Sequence, residues 1–372
     1  MKLKFAVWLA VCAMLAEAQV QAIRPPAAQL PAEADSSNIT HFSFVVYGDT
    51  RGRQDGKAVQ YEHSTLMDGM IANIRRLQSG NAPVKFVVQS GDAVVNGDRA
   101  EQWNVSFVPI IDRLTQTANV PYFFALGNHD VSNPGSGAQT AETAQRQPGL
   151  KNSLDALAKL IPPNGSPRRL RDYPTYSIAY GNTFVVFLDT NLVGDEKQFA
   201  WTKSQLAGLD RGRYQHVFVV THYPVFSSGS HGGARVEIAT TELRNRWMPL
   251  FREHHVEAVF SGHEHLFEHW VEYYTDASGE HRMDLVVSGG GGAPLYAYSQ
   301  EPDLRAYLQS NAAAKVRVEH IAKPGAEPGS NPYHFLLVTV DGDRLDMEVI
   351  ASDWGRGYQP YRSNRTAIGG GR

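Results

Sequence analysis

The sequence predicts an α/β sandwich, and three observations carry that prediction. Short apolar runs recur along the chain, each ending in Gly, Asp, Asn or His, and helical patterns lie between several of them. Hydrophobic residues make up 42% of the 372 positions and charged residues 20%, enough to bury a full-sized core. Continuous apolar runs are how strands read when both faces of a sheet are covered, and strands alternating with helices imply layers. The same composition excludes disorder, collagen and coiled coil as overall descriptions. At about 150 residues per domain the length allows two to three units, although one α/β domain of this size is equally ordinary.

At the start of the chain, Lys2 and Lys4 precede an apolar stretch from Phe5 to Leu15, too short to span a bilayer, that closes on Ala16-Glu17-Ala18. This is the pattern of a secretory signal over 1–22, with Ala22 as a second possible cut and an uncleaved anchor as the competing reading. Cys12, the only cysteine, lies inside the leader. A mature chain without disulfides fits an exported protein, periplasmic or secreted, better than a small disulfide scaffold. Residues 23–38 are Pro/Ala-rich and read as linker.

Strand-like runs follow at Phe42 to Tyr47, Val84 to Val88, Tyr122 to Leu126, Val217 to Val220 and Val256 to Phe260. Helical patterns lie at Leu66 to Leu77, Glu101 to Leu114, Gln198 to Leu209 and Thr241 to His254. Two hairpins are expected over Thr175 to Leu188 and Phe335 to Ile350, turning at Tyr180-Gly181-Asn182 and Asp341-Gly342-Asp343. The folded domain therefore spans 39–354, and 355–372 forms a C-terminal tail. Two stretches without periodicity, about 131–172 and 296–331, read as insertions of the kind that form functional lids or disordered loops.

Charge sets the class of partner. A net charge of −3, from 35 basic and 38 acidic residues, gives no global field for nucleic acid or an anionic membrane, so an anion must be bound locally. No nucleic-acid partner and no stable membrane insertion after signal removal are expected. Fourteen histidines, several of them clustered, point instead towards metal chemistry.

Polar residues gather where open α/β sheets place their ligands, at the carboxyl ends of strands. Five such ends stand out: Gly48-Asp49-Thr50-Arg51, Gly91-Asp92-Ala93-Val94-Val95-Asn96-Gly97, Gly127-Asn128-His129-Asp130, Thr221-His222-Tyr223-Pro224 and Gly262-His263-Glu264-His265. The glycines let the chain turn sharply off a strand. Their Asp, Asn and His neighbours form the oxygen and imidazole donor set suited to Zn, Fe, Mn and Co. A single Gly-Asp pair is usually only a turn; five ends in succession are a pattern.

With these motifs the chain resembles the calcineurin-like metallophosphoesterase superfamily over roughly Phe42 to Pro294. The stretch from His222 through Phe226 to His231-Gly232, followed by Ser261 to His265, is most similar to the purple-acid-phosphatase branch. The resemblance implies a four-layer α/β/β/α metallophosphoesterase sandwich and a centre of two divalent or trivalent metal ions, of unspecified identity among Mn, Fe, Zn and Co. It implies that Asp92 bridges both ions, that Asp49 and His265 hold the first, and that Asn128, His222 and His263 hold the second. Two cations about 3.5–4 Å apart need a bridging carboxylate to offset their repulsion, and neutral imidazoles preserve the Lewis acidity that activates a bridging water. By the same resemblance, His129 would protonate the leaving oxygen or bind phosphate and His231 would be a second such contact. Asp130 would orient His129, unless it caps a helix N-terminus.

The chain departs from the family pattern at two positions. Arg51 stands where much of the superfamily has a ligating histidine, and Arg has no lone pair to offer. Val95 stands where purple acid phosphatases have a ligating tyrosine, so no tyrosinate chromophore is expected. His63, with Tyr61 nearby, is the candidate to fill the first site, a helix-capping or surface histidine being the alternative. Arg51 could clamp a phosphate oxygen through its fork geometry or form a structural salt bridge.

Competing motifs explain less. His265-Leu266-Phe267-Glu268-His269 spells the H-x-x-E-H metalloprotease pattern, but that motif needs a helix and here it runs into strand-like sequence. Gly289 to Gly292 lacks the Lys-Ser/Thr of a phosphate-binding loop and reads as a crossing beside the site.

The expected function is a metal-dependent phosphoester hydrolase acting on a small phosphorylated substrate. A monoester comes first, because Arg51, His129 and His231 could together neutralise a dianionic phosphoryl group. A phosphodiesterase on the same site is the near alternative, and a catalytically impaired phosphate- or partner-binding protein the distant one. Substrate choice is expected to fall to the insertions, through Arg168, Arg169 and Arg171 or through Tyr296 and Tyr298.

Overall fold

The computed structural model describes residues 19–131, 148–233, 235–353, 357–360 and 366–369. The leader up to residue 18, with Cys12, and residues 132–147 of the first insertion lie outside the described residues. Two seven-stranded sheets form the centre. The first has the order β13-β12-β11-β1-β2-β3, built from β1 (His41–Tyr47), β2 (Val84–Gln89), β3 (Tyr122–Phe124), β11 (His334–Asp341), β12 (Arg344–Asp353) and β13 (Gly357–Pro360), with β14 (Thr366–Ile368) also paired to β12. The second has the order β10-β8-β9-β7-β6-β5-β4. Its strands are β4 (Tyr176–Tyr180), β5 (Thr183–Phe187), β6 (His216–Val220), β7 (Ala258–Ser261), β8 (Phe267–Asp276), β9 (Gly279–Ser288) and β10 (Arg317–Ala322).

Side-chain alternation in β1 shows why the layers form. Phe44 points at the other sheet, its ring 5.5 Å from Phe218 and 6.1 Å from Phe260. Tyr47, on the opposite face, meets His63 of helix α1 (Tyr61–Leu77). In the second sheet the roles mirror these: Phe218 and Phe260 face inward, while Val217, Val219 and Val259 pack with Leu206, Leu243 and Trp247. Burying each such side chain contributes roughly 1.5–3 kcal/mol. Helices therefore cover both outer faces, giving the expected α/β/β/α order.

Two of the covering helices carry π-turns, and both use them alike. Helix α2 runs through Ala100–Gln102, the π-turn Trp103–Phe107 and Val108–Thr117. Buried Trp103 donates from Nε1 to the Gly97 carbonyl at 2.9 Å, tying down the loop that follows Asp92. Counting on along the chain, α3 is Pro148–Leu157 and α4 is Glu196–Ala207, while α5 runs through Ile238–Glu242, the π-turn Leu243–Trp247 and Met248–Glu253. Trp247 Nε1 donates to the Val193 carbonyl at 2.8 Å. Single π-turns inside helices often accompany functional sites.

Four expectations need correction. The segment read as linker is a docked strap: Val20 and Ile23 are buried, Ile23 N–H donates to the Ala156 carbonyl at 2.9 Å, and Arg24 pairs with Asp112 at 2.7 Å. The first insertion contains α3, and the second contains α6 (Arg305–Ser310) and the edge strand β10. The tail supplies β13 and β14, both hydrogen-bonded to β12. Arg168 pairs with Glu33 at 2.6 Å, Arg169 donates to the Tyr173 and Pro162 carbonyls, and Arg171 packs over Gly165. Arg168 thus ties the body of the domain to the strap, and Arg169 and Arg171 brace a turn.

Candidate metal centre

Parallel strands from the two sheets end side by side, and the loops leaving them are stitched together by backbone hydrogen bonds. Asp49 N–H donates to the Gly91 carbonyl, Gly262 N–H to that of His222 and Ala293 N–H to that of Asp49, at 2.8–3.0 Å. The glycines permit this closeness. Gly91 has φ +101°, and a Cβ there would lie 2.5 Å from His222 Nδ1; a Cβ on Gly127 would lie 2.2 Å from Asp92 Oδ1. Three non-glycine residues at the centre also sit in the left-handed region: Asp49 (φ 58°), Asp92 (54°) and His263 (70°). Such backbone costs on the order of 1–3 kcal/mol per residue, and functional sites are where it accumulates.

Asp92, Asn128, His222 and His263 converge. His222 Nε2 lies 2.9 Å from Asn128 Oδ1, 3.2 Å from His263 Nδ1 and 3.3 Å from Asp92 Oδ1. The far side of each ring fixes its tautomer. His222 Nδ1 faces the Ser90 carbonyl at 2.8 Å and must carry its proton. His263 Nε2 faces the Glu237 carboxylate at 2.8 Å and donates to it. Complete burial lowers the His222 pKa to about 4, so a second proton is absent at neutral pH. Four side-chain lone pairs therefore converge with no side-chain proton among them; the His129 backbone N–H donates to Asp92 Oδ1 at 3.1 Å, and a cation satisfies the lone pairs that remain. The 2.9–3.3 Å separations match those between neighbouring ligands of one ion at the usual bond lengths of about 2.0–2.2 Å.

Asp49, Asp92 and His265 form the second convergence, with one ligand atom from each lying within 4.8 Å of the others. Here too the backbone aims the side chains. His263 N–H donates to Asp49, and His265 Nδ1 faces the Pro294 carbonyl at 2.7 Å, leaving its Nε2 lone pair inward. That lone pair is already met: the Arg51 guanidinium lies 3.4 Å from it through Nη2, and Arg51 Nε lies 3.4 Å from Asp92 Oδ2. Arg51 is 5% exposed, and Nε has no hydrogen-bond partner. Burial, together with this guanidinium, holds the His265 pKa well below its usual range. Burial and the Asp92 charge push Asp49 upward; at Asp92 burial acts the same way, but His222, His129 and Arg51 outweigh it and lower the pKa. The donors of the expected second-ion site fit a metal. Those of the expected first-ion site do not fit a fully ligated one.

His63 does not fill that gap. Its Nδ1 faces Gln60 Oε1 at 2.8 Å and its Nε2 the Tyr47 hydroxyl at 3.3 Å. It is fully buried on α1, and desolvation drives its pKa to about 3. The expectation that it ligates the first ion is overturned, because both its nitrogens are committed to structural partners. Tyr61, considered beside it, is 61% exposed on the helix surface.

Asp130 also departs from expectation. Its carboxylate accepts from the backbone N–H groups of Asp92, Ala93 and Gly127 at 2.8–2.9 Å, clamping the two metal-facing loops together. The imidazole of His129 is instead oriented by the Val95 carbonyl, 2.7 Å from Nδ1. His231 reaches the mouth, its ring 4.9 Å from His263 and 5.7 Å from Tyr296, which stacks on His265 at 4.1 Å. The Glu264 carboxylate, 3.5 Å from His231 Nδ1 as an acceptor, raises the His231 pKa. Of the expected residues, His129, His231 and Arg51 therefore gather around the donors, while His63 stands apart.

The residues missed are those that act from behind. Glu237 follows Val236 with no motif around it, and the carbonyls of Ser90, Val95 and Pro294 leave no trace in side-chain identity. Glu264, the central residue of His263-Glu264-His265, could have been found: a fully buried glutamate between two expected ligands requires a partner. A cavity of about 890 Å³ lies elsewhere, beyond α4 and lined by Arg211, His255, Tyr274 and His281. The chemistry is carried by the strand ends and not by that cavity.

Comparison with known proteins agrees with this architecture. The calcineurin-like phosphoesterase family matches residues 42–267. Tartrate-resistant acid phosphatase type 5 of Sus scrofa is 35% identical over 101 residues, 27% of this chain and 25% of that protein. Probable inactive purple acid phosphatase 1 of Arabidopsis thaliana is 23% identical over 273 residues, 68% of this chain and 42% of that protein. The chain thus spans less than half the length of either. In fold it is similar to the purple acid phosphatase PPD1 from yellow lupin (Lupinus luteus) seeds, with a TM-score of 0.61 at 19% identity, covering 87% of this chain and 54% of that one. With its family match extending over more than half of the sequence, the chain belongs to the calcineurin-like phosphoesterase family.

Proposed function

We propose that the protein is an exported, metal-dependent hydrolase of phosphoric monoesters on small molecules. The observation that carries this reading is the convergence of side-chain lone pairs from Asp92, Asn128, His222 and His263, with Arg51, His129 and His231 around it. A cation bound there supplies Lewis acidity and lowers the pKa of a water. The remaining roles belong to the chain. Arg51 and His129 bind the phosphoryl oxygens, and His129 is kept in one orientation by the Val95 carbonyl. His231, its protonated form favoured by Glu264, donates a proton to the departing alcohol oxygen. Tyr296, stacked on His265, forms an aromatic wall for the leaving group.

Three fixed or protonatable positive groups at one mouth suit a dianion better than a monoanion, which is why a monoester is favoured over a diester. Hydrolysis of an aryl phosphate monoester and the matching diester, by protein stripped of metal and resupplied with Mn²⁺ or Zn²⁺, tests this. Faster metal-dependent turnover of the monoester is expected. Preference for the diester would reverse the substrate assignment, and binding of phosphate without turnover would favour the non-catalytic reading that Arg51 suggests.

Export rests on the sequence of the leader, and the strap refines it. Gln19 and Gln21 are tied to Asn104 through their backbone, and Val20 is buried. A cut after Ala18 keeps these contacts, whereas a cut after Ala22 removes them. No helix among the described residues is long and apolar enough to cross a membrane.

A further inference from the structure

We infer that Arg51 takes the place of the first metal ion, so that the centre holds one tightly bound cation and one fixed guanidinium instead of two cations. This rests on the hydrolase reading only in requiring that the Asp92, Asn128, His222 and His263 set binds a metal. Three observations carry it. The Asp49, Asp92 and His265 set offers only three protein donors, since Val95 contributes only its backbone carbonyl, to His129, and both nitrogens of His63 are engaged elsewhere. The His265 Nε2 lone pair, which a first ion would need, faces Arg51 Nη2 at 3.4 Å. The bridging carboxylate is shared in the same way, with Asp92 Oδ1 turned to His222 and Asp92 Oδ2 turned to Arg51.

The guanidinium is held there by more than chance. It is almost wholly buried with Nε 3.4 Å from Asp92 Oδ2, and because Asp92 lies close to Asp49, a positive charge beside it offsets the repulsion of the two acids. In the usual two-ion arrangement the first metal supplies that charge. A guanidinium supplies positive charge in the same place without a metal. A metal ion entering the same space would have to displace the guanidinium from both its partners and then sit beside it as a like charge. Arg51 also brings N–H donors in a fork, the geometry that grips phosphoryl oxygens. The first position is thereby turned from a metal site into a phosphate clamp.

Metal content decides the matter. His255, Asp276 and His281 bring three ligand atoms within 4.8 Å of one another on the surface, so the measurement is made in a His281→Ala background to silence that cluster. Full-length exported protein is equilibrated with Mn²⁺ or Zn²⁺, and bound metal is counted by elemental analysis across a concentration series. One tight ion per chain is expected, with Arg51→Ala binding a second ion at least tenfold more tightly than the parent does. Arg51→Lys, which keeps the charge and loses the fork, is expected to stay at one. Two equally tight ions in the parent would overturn the inference, as would a second-ion affinity unchanged in Arg51→Ala. No tight ion in any variant would overturn the metal reading of the whole centre, a failure distinguishable from the first because it would also remove metal-dependent ester turnover.

Discussion

The two halves of the centre share Asp92 and are built from the same residue types, yet they are electrostatically opposite. Around His222, four lone pairs converge at 2.9–3.3 Å with the two imidazole N–H groups turned outward to Ser90 and Glu237. Around His265, the converging lone pairs meet the N–H groups of Arg51. At an effective dielectric near 20, like unit charges about 4 Å apart repel by about 4 kcal/mol, so a divalent ion beside that guanidinium starts at a serious disadvantage. Donor identity alone therefore does not make a metal site. What decides is where the protons go, and that is set by the carbonyls and carboxylates behind the ligands.

Asp92→Asn removes the carboxylate both halves share. Loss of bound metal and a fall in activity on the order of 10³-fold are expected; full activity would show that the two halves are not one centre. Glu237→Gln weakens the partner that turns the His263 proton outward. Metal affinity should drop by about 10- to 100-fold, as for other residues that orient a ligand, and titration of the stripped protein with Zn²⁺ measures it.

On the other side of the mouth, Glu264→Gln should leave metal content unchanged. Glu264 raises the His231 pKa, so without it His231 loses its proton at lower pH, and the alkaline limb of the pH–rate profile moves down. A limb that stays in place would remove His231 as the proton donor. His63→Ala sharpens the comparison by contrast: it should lower stability by about 1–3 kcal/mol through a lost buried contact and leave metal content intact. The urea midpoint and elemental analysis read the two effects separately.

Acidification gives a smaller, graded effect. His222 and His63 titrate near 4 and 3 in the fold, against an ordinary value of about 6.5. Between those limits the unfolded chain binds more protons than the folded one, so stability rises with pH. Metal-free protein should therefore lose thermal stability as pH falls from about 6.5 towards 4, and bound metal should raise stability across that range without removing the slope, because folded His222 is already unprotonated there.

Much of this was legible in the sequence because the informative features are local. Gly-Asp, Gly-Asn-His and Gly-His-Glu-His each follow an apolar run, and the turn glycine and the donor stand side by side. The central strands were legible for the same reason, their runs being continuous. Strand β10 was not: Arg317 to Ala322 alternates exposed and half-buried residues at the sheet edge, and its partner, β8, lies more than forty residues earlier. The strands of the tail are three and four residues long and are defined only by pairing with β12. His63 was misassigned because a vacancy at Arg51 is visible in sequence, whereas the Tyr47 hydroxyl and Gln60 amide that claim the ring are visible only in space.

Which of the two halves binds metal separates a one-ion centre from a two-ion one. Crystals of the protein soaked in Mn²⁺, with anomalous scattering recorded near the manganese edge, show this directly. The account predicts one strong peak enclosed by Asp92, Asn128, His222 and His263, with the Arg51 guanidinium still against Asp92 and His265. Two peaks of equal height on either side of Asp92, with Arg51 swung away, would contradict it.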